Sequence, residues 1–365
     1  MRRSLMSRSA SVDARPMPAP RSPAWAESLR RKCLGRRVVD GGNRYVLRMS
    51  SGAASSLPAV RQTVATEGDE FMLATPGATG RIVRTGRGLD RASVSAWGYG
   101  AARLALLDLG FPAVAEAEVV GDSVVLATML RAPENGRWDG VWLAPGQTFV
   151  YPIGGSHHAH DPGDLQFALT VLPWGMFEQT AVDLGVDPTM GTRQHVVRGG
   201  PLWPLVAPLE VVARGDAAGH LGDRFAQQRL LESAVRTVCG TEDLSGRRLS
   251  TRGWQDVDLV RDAIGYLEQI DEWIVPVLTL CRQVCVSERR LQVAFGILFG
   301  LAPRAYMLHR ALQAAHRTLR AAEPATGQVA PIARAFGFRH LGRFAAAYRH
   351  VYGELPSRTL RRAPR

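Results

Sequence analysis

The chain has 365 residues, 46% of them hydrophobic and 21% charged, enough apolar material for more than one core and, by length, for about two domains. That balance excludes a wholly disordered or collagen-like chain, and no run of about 18 uninterrupted apolar residues marks a membrane span. The net charge of +12 is segregated: residues 1–37 hold ten basic and two acidic side chains, 38–274 hold 20 and 28, and 275–365 hold 15 and three.

A basic end on an acidic middle points to a polyanion partner at that end and a different task for the rest. Four cysteines in so long a chain cannot form a dense disulfide framework, which fits a reducing, cytoplasmic location. Residues 1–37 are rich in Arg, Ser and Pro, lack apolar periodicity and lack the apolar core of a secretory signal. They read as a disordered basic tail.

Residues 38–175 carry short apolar runs separated by Gly, Pro and Asp/Asn, the pattern of an antiparallel barrel or sandwich. Expected strands are Tyr45–Met49, Glu70–Ala74, Ala92–Ala96, Val119–Val125, Gly140–Leu143, Thr148–Ile153 and Leu165–Leu172, with a turn at Leu143–Gln147. The stretch between Ile153 and Leu165 reads as a polar loop. Arg224–Val238 has the spacing of an amphipathic helix, and Val257, Val260, Ile264, Leu267 and Ile270 recur at three- and four-residue steps in another. From there strand signals vanish. The domain division is therefore a tail over 1–37, a mixed domain over 38–250 and a helical domain over 255–365.

Two segments of the helical part share one plan. Val277–Phe299 and Gln328–Tyr352 each read as a short helix, a tight turn and a longer helix with exposed arginines, the helix-turn-helix layout. In the first unit Leu278, Leu280 and Cys281 form the apolar face of the short helix. Ser287 is a natural N-cap, and Leu291, Ala294, Phe295 and Leu298 face inward. In the second, Ile332, Ala333 and Phe336 face inward, Gly337 makes the turn over Phe338, and Phe344, Tyr348 and Val351 form the buried stripe. Pro303–Arg320 is a continuous helix that fixes their separation. A helix of this width enters the major groove of duplex DNA with its first turns at the base edges, so two such helices read two successive groove segments.

The spellings VSERRLQVAF (286–295), FGLAPRAYMLHRALQAAHRTLRAA (299–322) and GFRHLGRFAAAYRHVYGELPSRTL (337–360) resemble the DNA-binding region of the AraC/XylS family of bacterial transcription regulators, in the branch that includes the ethanolamine-operon regulator. The resemblance covers roughly residues 260–365. It implies an α+β chain: an N-terminal sensing or dimerising domain built on a degenerate cupin-like β barrel with helices, then an all-α domain with two helix-turn-helix units.

By the same resemblance the first reading helix is Ser287–Leu298, with Ser287, Arg289, Arg290 and Gln292 as DNA contacts. Gln suits adenine edges and Arg suits guanine. In the second unit the family's base-reading positions fall near Leu341, Gly342, Ala345 and Ala346, which carry no hydrogen-bonding atoms. Arg339, His340 and Arg343 are then expected to hold phosphates. Two departures stand out: Cys285 replaces the usual turn glycine, and Gly296 falls inside the reading helix. The partners implied are double-stranded DNA and RNA polymerase, with a small-molecule effector and a second copy of the chain left open, and no membrane.

Other chemistries find less support. His157, His158 and His160 do not make up a complete metal set, since no third ligand and carboxylate fall at defined spacing. Cys33, Cys239, Cys281 and Cys285 show no Cys-x-x-Cys pair. Nucleophile-elbow, phosphate-loop and dinucleotide signatures are missing, so neither enzyme activity nor a metal or other cofactor is expected. Trp138, Trp142, Trp174 and Trp203 cluster in the middle region, and Trp142, Phe149 and Tyr151 are the effector-binding candidates. Two alternatives remain: a cupin-type metalloenzyme with an accessory DNA-binding tail, and a constitutive regulator whose N-terminal domain only dimerises.

Overall fold

A computed structural model describes residues 61–65, 72, 75–89, 92–99, 101–206, 224–240, 251–322 and 328–362. The basic tail over 1–37, the Tyr45–Met49 strand and most of the Glu70–Ala74 run lie outside the described residues. The chain is α+β, with a sheet-rich N-terminal region and a helical C-terminal region.

The strands are β1 (Arg61–Ala65), β2 (Ala78–Arg84), β3 (Ala92–Tyr99), β4 (Ala102–Leu109), β5 (Ala113–Val119), β6 (Ser123–Arg131), β7 (Arg137–Trp138), β8 (Val141–Trp142), β9 (Gln147–Tyr151), β10 (Ser156–Asp161), β11 (Leu165–Pro173) and β12 (His195–Arg198). Among the described residues they form a seven-stranded sheet ordered β1-β3-β4-β11-β6-β9-β12 and a five-stranded sheet ordered β2-β5-β10-β7-β8. The ladders do not close, so the expected barrel is an open two-sheet arrangement. Strands leave one sheet for the other at tight connections such as residues 110–112, instead of pairing around a ring.

Leu107, Leu109, Ala127, Met129, Phe167 and Leu169 fill the space between the sheets. The opposite face of the large sheet presents Leu104, Leu126, Ala168 and Leu172 to a second core, covered by α1 (Trp174–Asp183) and α3 (Arg224–Gly240). A short α2 (Trp203–Val206) lies between those helices in sequence. β4 and β11 are thus buried on both faces, and each reads as a near-continuous apolar run for that reason.

Two expectations need correction. Val119–Val125 is not one strand: Gly121 sits at φ +78°, and there the chain passes from β5 of the five-stranded sheet to β6 of the seven-stranded sheet. The polar stretch after Ile153 is not a loop. It forms β10, paired over its whole length with β5, because tertiary structure covers both of its faces.

The helical region comprises α4 (Thr251–Gln269), α5 (Val277–Gln283), α6 (Glu288–Phe299), α7 (Pro303–Ala321), α8 (Val329–Ala335), α9 (Leu341–Tyr352) and α10 (Pro356–Arg361). Leu291, Phe295, Leu298, Phe299 and Tyr306 join Val257, Val260 and Ile264 in one core, which also takes in Val83 and Val114 of the five-stranded sheet. Leu312, Leu319, Phe338, Phe344, Tyr348 and Val351 form the next. Among the described residues no single helix is long and apolar enough to cross a membrane.

Candidate nucleic-acid interface and the cavity behind it

α5 and α6 form the first helix-turn-helix. Leu280 and Cys281 are buried, but Leu278 is 57% exposed, so it does not belong to the inward face assigned to it. Its place in the first turn of a seven-residue helix leaves it past the edge of the packed stripe. The turn bends at Cys285, which adopts φ +54°. That left-handed conformation favours glycine, and here a side chain with a Cβ tolerates it. Ser287 caps α6, its hydroxyl accepting from the Arg290 amide at 3.3 Å. Gly300 ends the helix in the left-handed conformation.

On the outward face of α6, Arg289 is exposed and has no partner among the described residues. Gln292 is exposed and donates its Nε2 to Glu288 Oε1 at 3.0 Å. Val293 is also exposed on this face. Arg290 differs from its neighbours, because its guanidinium forms an ion pair with the buried Asp256 carboxylate of α4.

α8 and α9 form the second unit. Gly337 makes the turn at φ +86°, Phe338 packs beneath it, and Phe344, Tyr348 and Val351 are buried as their spacing requires. Arg339, His340 and Arg343 cluster at the start of α9, exposed and without partners among the described residues. The helix N-terminus lends them its positive end. Between the units lies the 19-residue α7, about 28 Å long.

The five-stranded sheet packs on this helical region. Gln313 of α7 spans the free edge of β2: its Oε1 accepts from the Arg84 amide at 3.0 Å, and its Nε2 donates to the Ile82 carbonyl at 2.8 Å. Arg87 donates to the Arg349 carbonyl of α9 at 3.1 Å, and Arg81 pairs with Glu268 of α4. On β10, His158 lies against Phe299 with ring centroids 6.0 Å apart. His160 reaches the end of α6 beside Gly300, and burial followed by the Arg137 charge lowers its pKa.

The other face of β10 looks into a cavity between the two sheets. It encloses about 640 Å³, counting its open mouth, and its wall is almost entirely apolar. Two of its polar groups, Tyr151 and His157, belong to one network centred on Asp139. Asp139, held at φ +48°, accepts from Tyr151 Oη at 2.9 Å and from the His158 amide at 2.8 Å. His157 Nδ1 lies 2.8 Å from Tyr151 Oη, and since that hydroxyl donates to Asp139, the imidazole donates to it. Burial raises the Asp139 pKa, but the imidazoles of His157 and His158, at 3.7 and 3.6 Å, outweigh it and hold the carboxyl below the usual range. Asp161 is 2% exposed and accepts from Trp138 Nε1 at 3.1 Å. Burial pushes its carboxyl up to about 7, opposed only by that hydrogen bond.

Of the effector candidates, Tyr151 lines the cavity, and Phe149 stacks behind it in the same core at 6.5 Å. Trp142 is 54% exposed and packs under the Arg137 guanidinium, away from the cavity. Sequence reasoning missed Asp139 and Asp161 as site residues. The only signal for them was that two acids bracket a histidine-rich stretch too polar to be an ordinary strand. Among the described residues no group of three or more His, Cys, Asp or Glu side chains has an arrangement that could hold a metal ion.

Two consecutive helix-turn-helix units with solvent-facing basic side chains define a DNA-binding class of domain. Residues 280–362 match the family described as "Helix-turn-helix domain", and this segment is of the AraC/XylS type. The chain is 39% identical over 106 residues to the "Probable thc operon regulatory protein" of Rhodococcus erythropolis, a match covering 29% of this chain and 32% of that one. It is 38% identical over 82 residues to the "XylDLEGF operon transcriptional activator" of Pseudomonas putida, covering 22% and 26%. The chain thus spans about a third and a quarter of these relatives. A crystal structure of a probable AraC family transcriptional regulator from Rhodopseudomonas palustris is 35% identical over 30% of this chain and 99% of that one, with a TM-score of 0.27.

Proposed function

We propose that the protein is a sequence-specific DNA-binding transcription regulator controlled by a small-molecule effector. Residues 255–365 bind duplex DNA through two helix-turn-helix units, and residues 38–250 sense the effector in an open, cupin-like pair of sheets. The observation that carries this reading is the arrangement of α6 and α9 at the two ends of α7, each with partnerless basic side chains on its outer face. The 19-residue α7 between the units, about 28 Å long, is on the scale of one helical turn of duplex DNA, roughly 34 Å. The names of the relatives, an operon regulatory protein and an operon transcriptional activator, support the same reading.

In this reading α6 supplies base contacts through Arg289 and Gln292, with Ser287 at the helix start, and Arg339, His340 and Arg343 hold phosphates at α9. Arg290 reaches DNA only by exchanging its Asp256 pair, so its first role is to set the pitch of α6. Duplex DNA and RNA polymerase are the partners, in the cytoplasm, with a second copy of the chain where half-sites repeat. The effector occupies the cavity lined by Tyr151, and β10 carries its presence to the end of α6.

The test is an electrophoretic mobility shift with the full chain and DNA selected from genomic fragments. Specific binding that survives about 150 mM salt supports the reading. Binding that lacks any sequence preference and vanishes with salt contradicts it.

A further inference from the structure

The cavity wall has an uneven chemistry. Among its described lining residues there is no Lys or Arg, whereas Asp161 and Glu118 both contribute to it. The two buried acids of the region are not equivalent. Asp139 is met by Tyr151, the His158 amide and two imidazoles. Asp161 has a single neutral donor, Trp138 Nε1 on Oδ1, and Oδ2 has no partner among the described residues.

A carboxyl buried without a cation is a costly group to leave in an apolar wall, since its ionised form lacks both water and counter-charge. Its elevated pKa, about 7, expresses that deficit. Around it the wall is built from Leu107, Leu109, Ala127 and Phe167, which suit a hydrocarbon or aromatic body. An anionic ligand would meet two acids and, among the described residues, no Lys or Arg.

We propose that the ligand of this cavity is an amphipathic amine, whose apolar body packs between the sheets and whose ammonium group donates to Asp161 Oδ2. The proposal rests on reading the cavity as the effector site, and names the ligand class for it. A charge-assisted bond in a dry wall is among the stronger polar contacts a protein makes. It also forces Asp161 into its ionised form, on the strand whose other face carries His158 and His160 against α6.

Three probes sharing one body test the proposal by isothermal titration of the full chain at pH 7.5: 2-phenylethylamine, 2-phenylethanol and 3-phenylpropanoate. The amine is expected to bind about tenfold or more tightly than the carboxylate, with the alcohol between them. Asp161→Asn keeps the side-chain shape and removes the charge. It is expected to weaken the amine about tenfold while leaving the alcohol within about threefold. A carboxylate that binds as well as the amine to the wild-type chain overturns the proposal without need of any variant. So does an amine advantage that persists in a folded Asp161→Asn. If the alcohol binds and the amine gains nothing, the ligand class falls and the cavity reading stands. If none of the three binds, both fall together.

Discussion

His157 and His158 are consecutive on β10 and serve opposite compartments: His157 Nδ1 lies 2.8 Å from Tyr151 Oη in the cavity wall, while the His158 ring sits 6.0 Å from that of Phe299 at the end of α6. Asp139 joins the two, its Oδ1 accepting from the His158 amide and its Oδ2 from Tyr151. The strand that lines the cavity is thus the strand on which the end of α6 rests. Alternation of side chains along one strand lets β10 contact the cavity on one face and α6 on the other.

Arg289→Ala and Arg343→Ala are expected to weaken DNA binding without unfolding the chain, because both side chains are exposed and unpaired among the described residues. Loss of Arg289 should cost about 1–3 kcal/mol on the selected site and relax sequence preference. Loss of Arg343 should weaken all sequences similarly and reduce the salt slope by about one. Fluorescence anisotropy across salt concentrations measures both. Unchanged affinity in the two variants would sink the assignment of the interface.

Arg290 should behave differently. Its Asp256 partner is buried, so Arg290→Ala strands a carboxylate inside the fold and should lower stability by about 1–3 kcal/mol. Asp256→Asn together with Arg290→Ala should recover part of the loss, a coupling that a double-mutant cycle in urea reads directly. Additive losses would mean that the pair contributes nothing to the pitch of α6.

Two backbone sites in the first unit should yield stability. Cys285 holds φ +54°, and Cys285→Gly relieves it by about 1 kcal/mol. Gly296 lies inside α6, and a Cβ added there meets nothing within 4 Å. Gly296→Ala should therefore add about 0.5–1 kcal/mol. A fall in the denaturation midpoint of either variant would contradict the geometry.

The helix-turn-helix units are legible in the sequence because their determinants are local. Ser287 at a cap, Gly337 and Gly353 at left-handed positions, and inward stripes such as Phe344, Tyr348 and Val351 all act within a few residues. The sheets are legible only in part. Leu165–Leu172 stands out as a strand, whereas β4 does not, because a continuous apolar run suits a buried strand and a buried helix equally. β10 is invisible, since its His157, His158, His160 and Asp161 read as a solvated loop until distant segments cover them. For the same reason Trp142 is a poor guide to the cavity: aromatic character does not say which side of a two-residue strand a ring takes.

The Asp161 carboxyl gives a pH signature of definite sign. Its pKa rises from the ordinary value near 4 to about 7 on folding, so between those limits the folded chain binds more protons than the unfolded one. Stability contributed by this group therefore falls as pH rises through that window, and the penalty is complete above about 7. Asp161→Asn removes the effect, so the variant should gain on the wild type as pH increases from 5 to 8 by on the order of a few kcal/mol. Urea midpoints across that range measure it, and a constant difference would show that Asp161 titrates like a solvated carboxyl.

Gln313 offers a test of how the sheet is held to the helices. Its amide bonds both the Arg84 amide and the Ile82 carbonyl while 7% exposed. Gln313→Leu should cost about 1–3 kcal/mol by leaving two backbone groups of β2 without these bonds. Hydrogen exchange at the Arg84 amide should rise with it. Protection that is unchanged would mean that the edge of β2 does not depend on α7.

The most direct measurement is selection of bound fragments from bacterial genomic DNA by the full chain, repeated across salt concentrations. The account predicts one enriched motif with two half-elements about one helical turn apart, its occupancy lost in Arg289→Ala. Fragments retained without a shared motif, and released together as salt rises, would contradict it.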